Sequence, residues 1–264
     1  MHRTVSDFDG FARNWDGPLN FRISAEMIDF DWTPPPLDQA IEELRRDEMV
    51  VLRSGTPGDR LNLNPVPIEA FRAMPIETVM ETPFSIAHFD LGRFDAPGRC
   101  LDGFGAQVLE PWRAALGRAG FTMDRCYPIA FLSGRGCATN YHMDLSHVLA
   151  WQIHGVKRFC GLRDPDRWAD KETRLTYDPR VFARPEAIRS EDALCYEMRP
   201  GDRLWNALLT PHWVEEVDGV AMSFNISHGG LRNDGRLSRN EAELESYRAS
   251  HPDLAPARIG KVYR

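Results

Sequence analysis

The sequence predicts a mainly β fold with flanking helices, in the sandwich or barrel class. Short β-rich runs follow one another between residues 127 and 227. The dipeptides His154-Gly155 and Asp218-Gly219 separate two pairs of these runs, and Asp-Gly is a strong hairpin signal. Helical patterns lie on both sides of the β-rich part. Many short strands joined by tight turns are typical of sandwiches and barrels.

The N-terminal part has the pattern of an arm followed by helices. Residues 8–32 contain six aromatic side chains without clear periodicity, which we interpret as an arm packed on the body; a lid or a dimer contact is the alternative. Residues 37–44 have helical spacing, and residues 49–52 form an apolar run typical of a buried strand. A second helix is predicted from Gly105, with Pro111 in its first turn.

The β-rich part continues into a helical tail. Its predicted strands are residues 127–133, 146–153, 156–162, 194–198, 203–207, 212–217 and 220–227. Residues 163–193 are charged and contain prolines, which indicates an insertion between strands. Ser238 and Glu241 form a capping box for a final helix that ends near Arg248.

The basic residues of the insertion allow two interpretations. They line the entrance to a site and favour acidic partners, or they belong to a solvated loop with interspersed acidic residues. The residues concerned are Arg163, Arg167, Lys171, Arg174, Arg180, Arg184 and Arg189.

Length and composition suit one globular domain. The chain has 264 residues, of which 42% are hydrophobic and 27% charged, so a sizeable core can form. We predict a single domain with three parts. Residues 1–125 supply the arm, helices and first strands, residues 126–230 the β core, and residues 231–264 the helical tail.

Charge and cysteine usage exclude several classes. The net charge of −7 argues against a nucleic-acid partner. We find neither a membrane-spanning run nor a signal peptide. The five cysteines are scattered and never form a C-x-x-C pair, so we expect small core residues rather than a disulfide framework or a zinc site. These features predict a cytoplasmic location.

A metal site is suggested by an H-x-D triplet. Alternate residues of a strand point to the same side, so a histidine and an aspartate two residues apart can bind one ion. The chain has three such triplets, which begin at His88, His142 and His251. His251 lies beside a proline in the helical tail, and His88 has no matching second half downstream. Only His142, with Asp144, lies inside the run of short strands.

The third ligand must come from a distant strand, and the histidines of the later strands compete for this place with His147. His147 lies too close to the first ligand pair. His228 is interpreted as a satisfied turn histidine after the last strand. A tight turn at residues 200–202 precedes the strand that begins with His212.

Four segments together resemble the JmjC-type, cupin-like branch of the 2-oxoglutarate-dependent dioxygenases. They are TNYHMD at residues 139–144, WQIHGVKRF at 151–159, RPGD at 199–202 leading to PHW at 211–213, and SFN at 223–225. The resemblance covers roughly residues 125–230 and implies a double-stranded β-helix (cupin jelly roll).

The resemblance also implies roles for individual residues. His142, Asp144 and His212 correspond to the Fe(II) ligands. Lys157 corresponds to the lysine that pairs with the distal carboxylate of 2-oxoglutarate, Thr139 to a hydroxyl that helps to hold it, and Asn225 to a polar partner near this co-substrate. A buried ammonium needs a counter-charge, which a dicarboxylate would supply.

The implied function is hydroxylation with Fe(II), 2-oxoglutarate and O2, and N-demethylation would begin in the same way. Because Asp144 keeps its carboxylate in the triad, hydroxylation is favoured over halogenation. We expect the substrate to be a peptide or protein side chain; alternatives are a free small molecule, such as an amino acid or a natural-product intermediate, or a metal-binding cupin without oxygenase activity. The sequence leaves a homodimer open. Trp151, Trp205 and Trp213 are expected in the core rather than in the pocket.

Overall fold

The computed structural model describes residues 3–55, 66–178, 181–215 and 219–252. Its strands are β1 (Thr4–Val5), β2 (Phe21–Ile23), β3 (Val51–Ser54), β4 (Phe84–His88), β5 (Phe121–Thr122), β6 (Arg125–Ser133), β7 (Thr139–His142), β8 (His147–His154), β9 (Lys157–Leu162), β10 (Ala193–Met198), β11 (Arg203–Asn206), β12 (His212–Glu215), β13 (Ala221–Gly229), β14 (Arg232–Asn233) and β15 (Arg236–Leu237). The seven strands predicted between residues 127 and 227 all form; Val217 and Asp218, at the predicted hairpin, lie outside the described residues.

Eight α-helices accompany the strands in the described part of the chain. They are α1 (Phe8–Asn14), α2 (Leu37–Arg46), α3 (Ile68–Ala73), α4 (Ile76–Glu81), α5 (Glu110–Arg118), α6 (Pro165–Trp168), α7 (Lys171–Leu175) and α8 (Arg239–Ser250). A π-helical turn, Gly105–Leu109, leads into α5, so the predicted helix begins at Gly105 as expected. No helix within the described ranges is long and apolar enough to cross a membrane.

Two sheets form the body of the molecule. The larger has eight strands in the order β1-β2-β11-β8-β13-β6-β4-β3, and the smaller has four in the order β10-β9-β12-β7. Apart from the parallel pair β1–β2, their pairings are antiparallel. A third sheet of short strands has the order β15-β14-β5.

The larger sheet is covered on both faces, because alternate residues of its strands face opposite sides. In β8, Leu149, Trp151 and Ile153 pack into the main core with the N-terminal aromatic residues, whereas Val148 and Ala150 line a pocket toward the smaller sheet. The main core therefore lies on the face of the larger sheet that points away from the smaller sheet. The space between the two sheets contains the pocket. The expectation that Trp151, Trp205 and Trp213 are core residues is confirmed, since all three are buried in hydrophobic clusters.

The N-terminal arm is part of the core and of the sheet. Phe11 and Trp15 are fully buried, and β2 pairs with β11 in the larger sheet. Packing of the arm on the body is thus confirmed. The aperiodic sequence gave no indication of a strand, because three residues are too few to show an alternation.

Two local predictions were wrong in detail. The apolar run at residues 49–52 is not a buried strand: β3 lies at the edge of the larger sheet, and Met49 and Val51 are 44% and 51% exposed. The capping box is only half formed. The Ser238 hydroxyl accepts from the backbone N–H of Glu241, but the Glu241 carboxylate accepts from the N–H of Gly230 instead of the Ser238 backbone.

The expectation for the cysteines was also wrong for one pair. Cys160 and Cys195 form a disulfide, because β9 and β10 place them directly opposite each other with their Cα atoms 4.0 Å apart. Their separation of 35 residues hides this pairing from the sequence. Cys100, Cys126 and Cys137 are buried thiols outside this disulfide, as predicted.

Truncation of Phe11 tests the arm as a structural element. Its ring packs edge-on against Trp112 and Trp205 at centroid distances of 6.0 and 4.8 Å. We expect Phe11→Ala to lower the free energy of unfolding, measured by urea denaturation, by about 3–5 kcal/mol. The exposed Glu26→Ala in the same arm serves as the control, with an expected change within about 0.5 kcal/mol. Equal effects from both substitutions would mean that the arm is not part of the core.

Candidate metal centre and its pocket

Strand pairing brings two histidines together at one end of the smaller sheet. His142 ends β7, His212 begins β12, and the two residues are direct partners in this antiparallel pair. Their ring centroids are 4.1 Å apart. Asp144 completes the cluster from the loop after β7, so it is not on the strand itself as the H-x-D spacing predicted. One ligand atom from each of the three residues lies within 4.8 Å of the others.

Both imidazoles turn the same nitrogen toward the carboxylate. Asp144 Oδ1 is 3.7 Å from His142 Nε2, and Asp144 Oδ2 is 3.5 Å from His212 Nε2. The Nδ1 atoms face backbone carbonyls of Asn140 and Thr210, at 2.7 and 2.9 Å. Because a carbonyl only accepts, each Nδ1 carries the proton, and the lone pair of each Nε2 is free for a metal ion.

His212 is the most enclosed member of the cluster. Its side chain is 4% exposed, against about 30% for His142 and Asp144, and its ring stacks on Phe159 at 5.0 Å. Burial, with a smaller contribution from His142, lowers the pKa of His212 to about 4. The imidazole is therefore neutral at pH 7, which is the form that binds metal.

A strained loop holds the backbone of Asp144. Leu209, with a φ of 56°, has a left-handed conformation that is uncommon for a residue other than glycine. Its N–H donates to the Asp144 carbonyl at 2.8 Å. This hydrogen bond joins the turn before His212 to the loop after His142, so the two segments that contain the three ligand candidates are held together.

The triad lies in a pocket between the two sheets, with a volume of about 630 Å³ that includes its open mouth. Its apolar lining consists of Phe131, Val148, Ala150, Phe159, Met198 and Val214. The polar lining, besides the triad, consists of Thr139, Gln152, Lys157, Asn206, Ser223 and Asn225. All six residues predicted from the sequence therefore line this one pocket.

Lys157 is the unusual member of the lining. It is only 7% exposed, and its ammonium donates to the carbonyl of Phe131 at 3.2 Å. No acidic side chain among the described residues pairs with it. Burial lowers the pKa of Lys157 to about 8, so the group is still largely protonated at pH 7 and lacks a counter-charge.

Thr139 and Asn225 lie on opposite walls of the pocket. Thr139 begins β7 in the smaller sheet, and Asn225 lies in β13 of the larger one. The side-chain oxygen of Asn225 is buried without a hydrogen-bond partner. A buried amide end without a partner costs about 1–3 kcal/mol, which a polar ligand in the pocket would offset.

The two rival triplets do not form metal clusters within the described residues. His88 is fully buried in β4, where its Nε2 lies 3.1 Å from Asp47. His251 stacks on Tyr247 at the end of α8, with ring centroids 4.3 Å apart; Asp253 of that triplet lies outside the described residues.

The two competitors of His212 are satisfied in the core. His147 Nε2 contacts the Ser238 hydroxyl at 3.0 Å. His228 Nε2 accepts from the indole N–H of Trp112 at 2.7 Å. The prediction that His228 is satisfied is confirmed, but its placement in a turn was wrong: it lies within β13, because this strand continues to Gly229.

The basic residues of the insertion do not line the pocket in the described part of the chain. Arg174 is buried and bonds to Asp166, Lys171 lies 3.3 Å from Glu243, and Arg184 covers the ring of Trp213 at 4.4 Å. Arg180 lies outside the described residues. The interpretation with interspersed acidic residues fits these contacts better than an entrance for acidic partners.

Three polar lining residues were not predicted: Gln152, Asn206 and Ser223. The alternation in β8 and β13 would have found two of them, because Gln152 and Ser223 lie at even spacing from Val148 and Asn225, respectively. Asn206 ends β11 and gave no such signal.

The fold was compared with known proteins. Neither a protein-family model nor a curated protein matches the chain. Among solved structures, a complex of YcfD, a ribosomal oxygenase from Escherichia coli, with cobalt and 2-oxoglutarate matches with a TM-score of 0.54 at 13% identity, and covers 99% of this chain and 62% of that chain. The complex of YcfD with cobalt and succinic acid matches with a TM-score of 0.53 at 14% identity and the same coverage.

This chain shares the fold of YcfD. The predicted double-stranded β-helix is thereby confirmed, together with the resemblance to the JmjC-type, cupin-like oxygenases at the level of the fold. The chain spans about three fifths of the length of the YcfD structures that it matches. At this identity the likeness concerns the fold alone.

The burial of Lys157 predicts a pH dependence of stability. A pKa of about 8 in the folded state, against 10.5 ordinarily, means that the unfolded state binds more protons between these values. Stability contributed by this group is therefore lowest below pH 8 and recovers as the pH rises toward 10.5, by about 3 kcal/mol.

Substitution of Lys157 by Met isolates this effect. We expect metal-free Lys157→Met to be more stable than the wild type at pH 7, by up to about 3 kcal/mol, with a smaller difference at pH 10. Urea unfolding at both pH values measures it, and the other titrating groups cancel in the comparison. A stability difference that does not change with pH would contradict the burial of a charged Lys157.

Proposed function

We propose that this protein is an Fe(II)- and 2-oxoglutarate-dependent oxygenase that hydroxylates a peptide or protein side chain. One observation carries the proposal. A pocket with two imidazoles and a carboxylate at one place also contains a buried lysine that lacks an acidic partner among the described residues. The first feature suits a metal, and the second suits an anionic ligand beside it.

The donor set fits iron. Two histidines and one carboxylate that leave further positions open are typical of non-haem Fe(II) oxygenases. His142, Asp144 and His212 would hold the ion, and the free Nε2 atoms together with the neutral state of His212 support this. When bound, iron with 2-oxoglutarate supplies the oxygen chemistry, in which O2 is consumed and succinate, carbon dioxide and the hydroxylated product form.

The pocket also fits the co-substrate. Lys157 would pair with the distal carboxylate of 2-oxoglutarate and gain the counter-charge that it lacks. Thr139 would donate its hydroxyl to the same carboxylate. A half-turn of the Asn225 amide exchanges the positions of its oxygen and nitrogen, so an N–H can face the ligand. The complex of YcfD with cobalt and 2-oxoglutarate supports this assignment.

Apolar side chains shield the deeper part of the pocket, around His212 and Lys157, from water. Phe159 covers one face of His212, and Val148 and Ala150 line the opposing sheet. Exclusion of water strengthens the electrostatic interactions of Lys157 and protects reactive states from side reactions. The polar side chains of the lining would make the contacts with a small keto acid.

The accessibility of the candidate metal ligands supports a substrate that is presented on a larger molecule. His142 and Asp144 remain about 30% exposed, so a side chain presented from a larger molecule can reach them from the surface. YcfD, which shares the fold, is described as a ribosomal oxygenase, and this favours a protein substrate. A free amino acid or a natural-product intermediate is the alternative substrate class.

The alternative without oxygenase activity is a metal-binding cupin. Such a site has no need for a buried ammonium between its sheets, and Lys157 therefore separates the two functions. We expect Lys157→Ala to raise the dissociation constant for 2-oxoglutarate roughly 100-fold, because a buried charge pair with a ligand contributes about 3 kcal/mol. The dissociation constant is measured anaerobically by calorimetry in the presence of Mn(II).

Arg158→Ala serves as the matched control, because the neighbouring Arg158 is exposed and pairs with Glu215. Its affinity for 2-oxoglutarate should equal that of the wild type. Affinity for Mn(II) should be unchanged in both variants. If Lys157→Ala binds 2-oxoglutarate as tightly as the wild type does, the pocket holds metal for another purpose.

A substrate screen tests the protein side-chain assignment. The enzyme with Fe(II), 2-oxoglutarate and ascorbate should add one oxygen atom to a peptide in a library derived from ribosomal proteins, as detected by mass spectrometry. His212→Ala should give no product. Products from free amino acids, with none from the peptides, would replace the protein substrate by the small-molecule alternative.

A further inference from the structure

Asp144 receives a hydrogen bond from a residue that belongs to neither ligand-bearing strand. The side-chain N–H of Asn206 donates to Asp144 Oδ2 at 3.2 Å. Asn206 ends β11 in the larger sheet, and it is 1% exposed. Since Asp144 lies in a loop, this bond is a contact across the pocket that fixes the rotation of its carboxylate.

The amide of Asn206 is itself oriented by a second asparagine. The side-chain N–H of Asn20 donates to the Asn206 oxygen. An amide has one accepting and one donating end, so this bond leaves the N–H end of Asn206 to face the ligand candidates. The Asn206 nitrogen also lies 3.3 Å from His212 Nδ1; because that ring nitrogen carries a proton for the Thr210 carbonyl, the N–H of Asn206 is donated to Asp144. The reverse orientation would turn the oxygen toward the carboxylate, and the two groups would repel each other.

The side chain of Asn20 packs against Gly161, where any larger residue would collide with it. Asn20 is fully buried, between α1 and β2, and its carbonyl accepts from the Tyr196 hydroxyl at 2.7 Å. A Cβ on Gly161 would lie 1.8 Å from the Asn20 side-chain oxygen, and Gly161 is the partner of His212 across β9 and β12. The glycine thus admits a residue of the arm to the back of the metal cluster.

A contribution to stability does not explain why two asparagines, Asn20 and Asn206, are buried here. The Asn20 side-chain oxygen is buried without a hydrogen-bond partner, which costs about 1–3 kcal/mol, whereas apolar groups of the same shape would be nearly neutral. A role in orienting Asp144 accounts for both amides and for the bond between them.

We propose that Asn20 and Asn206 are positioning residues that hold the Asp144 carboxylate in its metal-binding orientation. The inference rests on the proposed function, because it requires that Asp144 binds the metal. The N-terminal arm would then be part of the metal centre, because Asn20, 186 positions before Asn206, determines which end of the Asn206 amide faces Asp144. Partners of this kind typically change metal affinity by about 10–100-fold.

The test is a titration of the metal-free protein with Co(II), followed by its visible spectrum. We expect Asn206→Leu to weaken Co(II) binding by about 10–100-fold and to change the band shape as Asp144 rotates. Asn20→Ala should weaken binding as well, because it frees the Asn206 amide to turn. The double variant should be no weaker than Asn206→Leu alone, since both substitutions break one chain of contacts.

Two controls and a second test variant separate the outcomes. Asn14→Ala makes the same change elsewhere in the arm, where the Asn14 amide bonds to Gly10, and it should bind Co(II) like the wild type. Thermal unfolding of the metal-free variants shows whether any loss follows from a weaker fold. If Asn206→Leu proves unstable, Asn20→Ala, which removes no contact with a ligand, decides the question by itself.

The result that overturns the inference is distinct from failure of the proposed function. If His212→Ala abolishes Co(II) binding while Asn20→Ala and Asn206→Leu bind like the wild type, the two asparagines do not position Asp144. If the wild type itself binds no Co(II), the proposed metal centre is wrong. Losses of affinity that only parallel losses of thermal stability would also overturn the positioning role.

Discussion

The buried charge of Lys157 is the constraint on which the pocket between the two sheets depends. An ammonium taken out of water costs several kcal/mol unless it finds a counter-charge. Between the two sheets it finds one carbonyl, from Phe131, and no carboxylate among the described residues. The lowered pKa of Lys157 reflects this cost. The pocket beside Lys157, with its polar lining, has room for an anion, and this is why we propose an anionic co-substrate there.

The same pocket contains the candidate metal ligands because of strand register. The pairing of β7 with β12 places His142 opposite His212, and the start of β9 brings Lys157 to the same side. A shift of one residue in the pairing of β12 with β7 or with β9 would move these side chains to the other face of the smaller sheet. The larger sheet supplies the opposing wall, and its own outer face is occupied by the aromatic core of the arm and helices. The arm thus stabilises the wall against which the site is built.

Much of the fold and of the site could be predicted from the sequence. All strands from β6 to β13 except β7 were predicted from β-rich runs between turn signals. The H-x-D spacing indicated His142 and Asp144, although Asp144 lies in the loop after β7. The remaining features depend on contacts between distant residues. The Cys160–Cys195 disulfide follows from the register of β9 with β10. Likewise, β2 is too short to show periodicity, and Asn20 is recognised only through Asn206 and Gly161. A local pattern contains no information about such partners.

The central claim is that one pocket binds iron and 2-oxoglutarate together. The most direct measurement is the visible spectrum of the metal-free protein, recorded without oxygen, as Fe(II) and then 2-oxoglutarate are added. We expect a weak charge-transfer band that requires both additions and is absent in His142→Ala. Iron binding without any band after 2-oxoglutarate is added would contradict the account, and a metal-binding cupin without oxygenase activity would then be the better description.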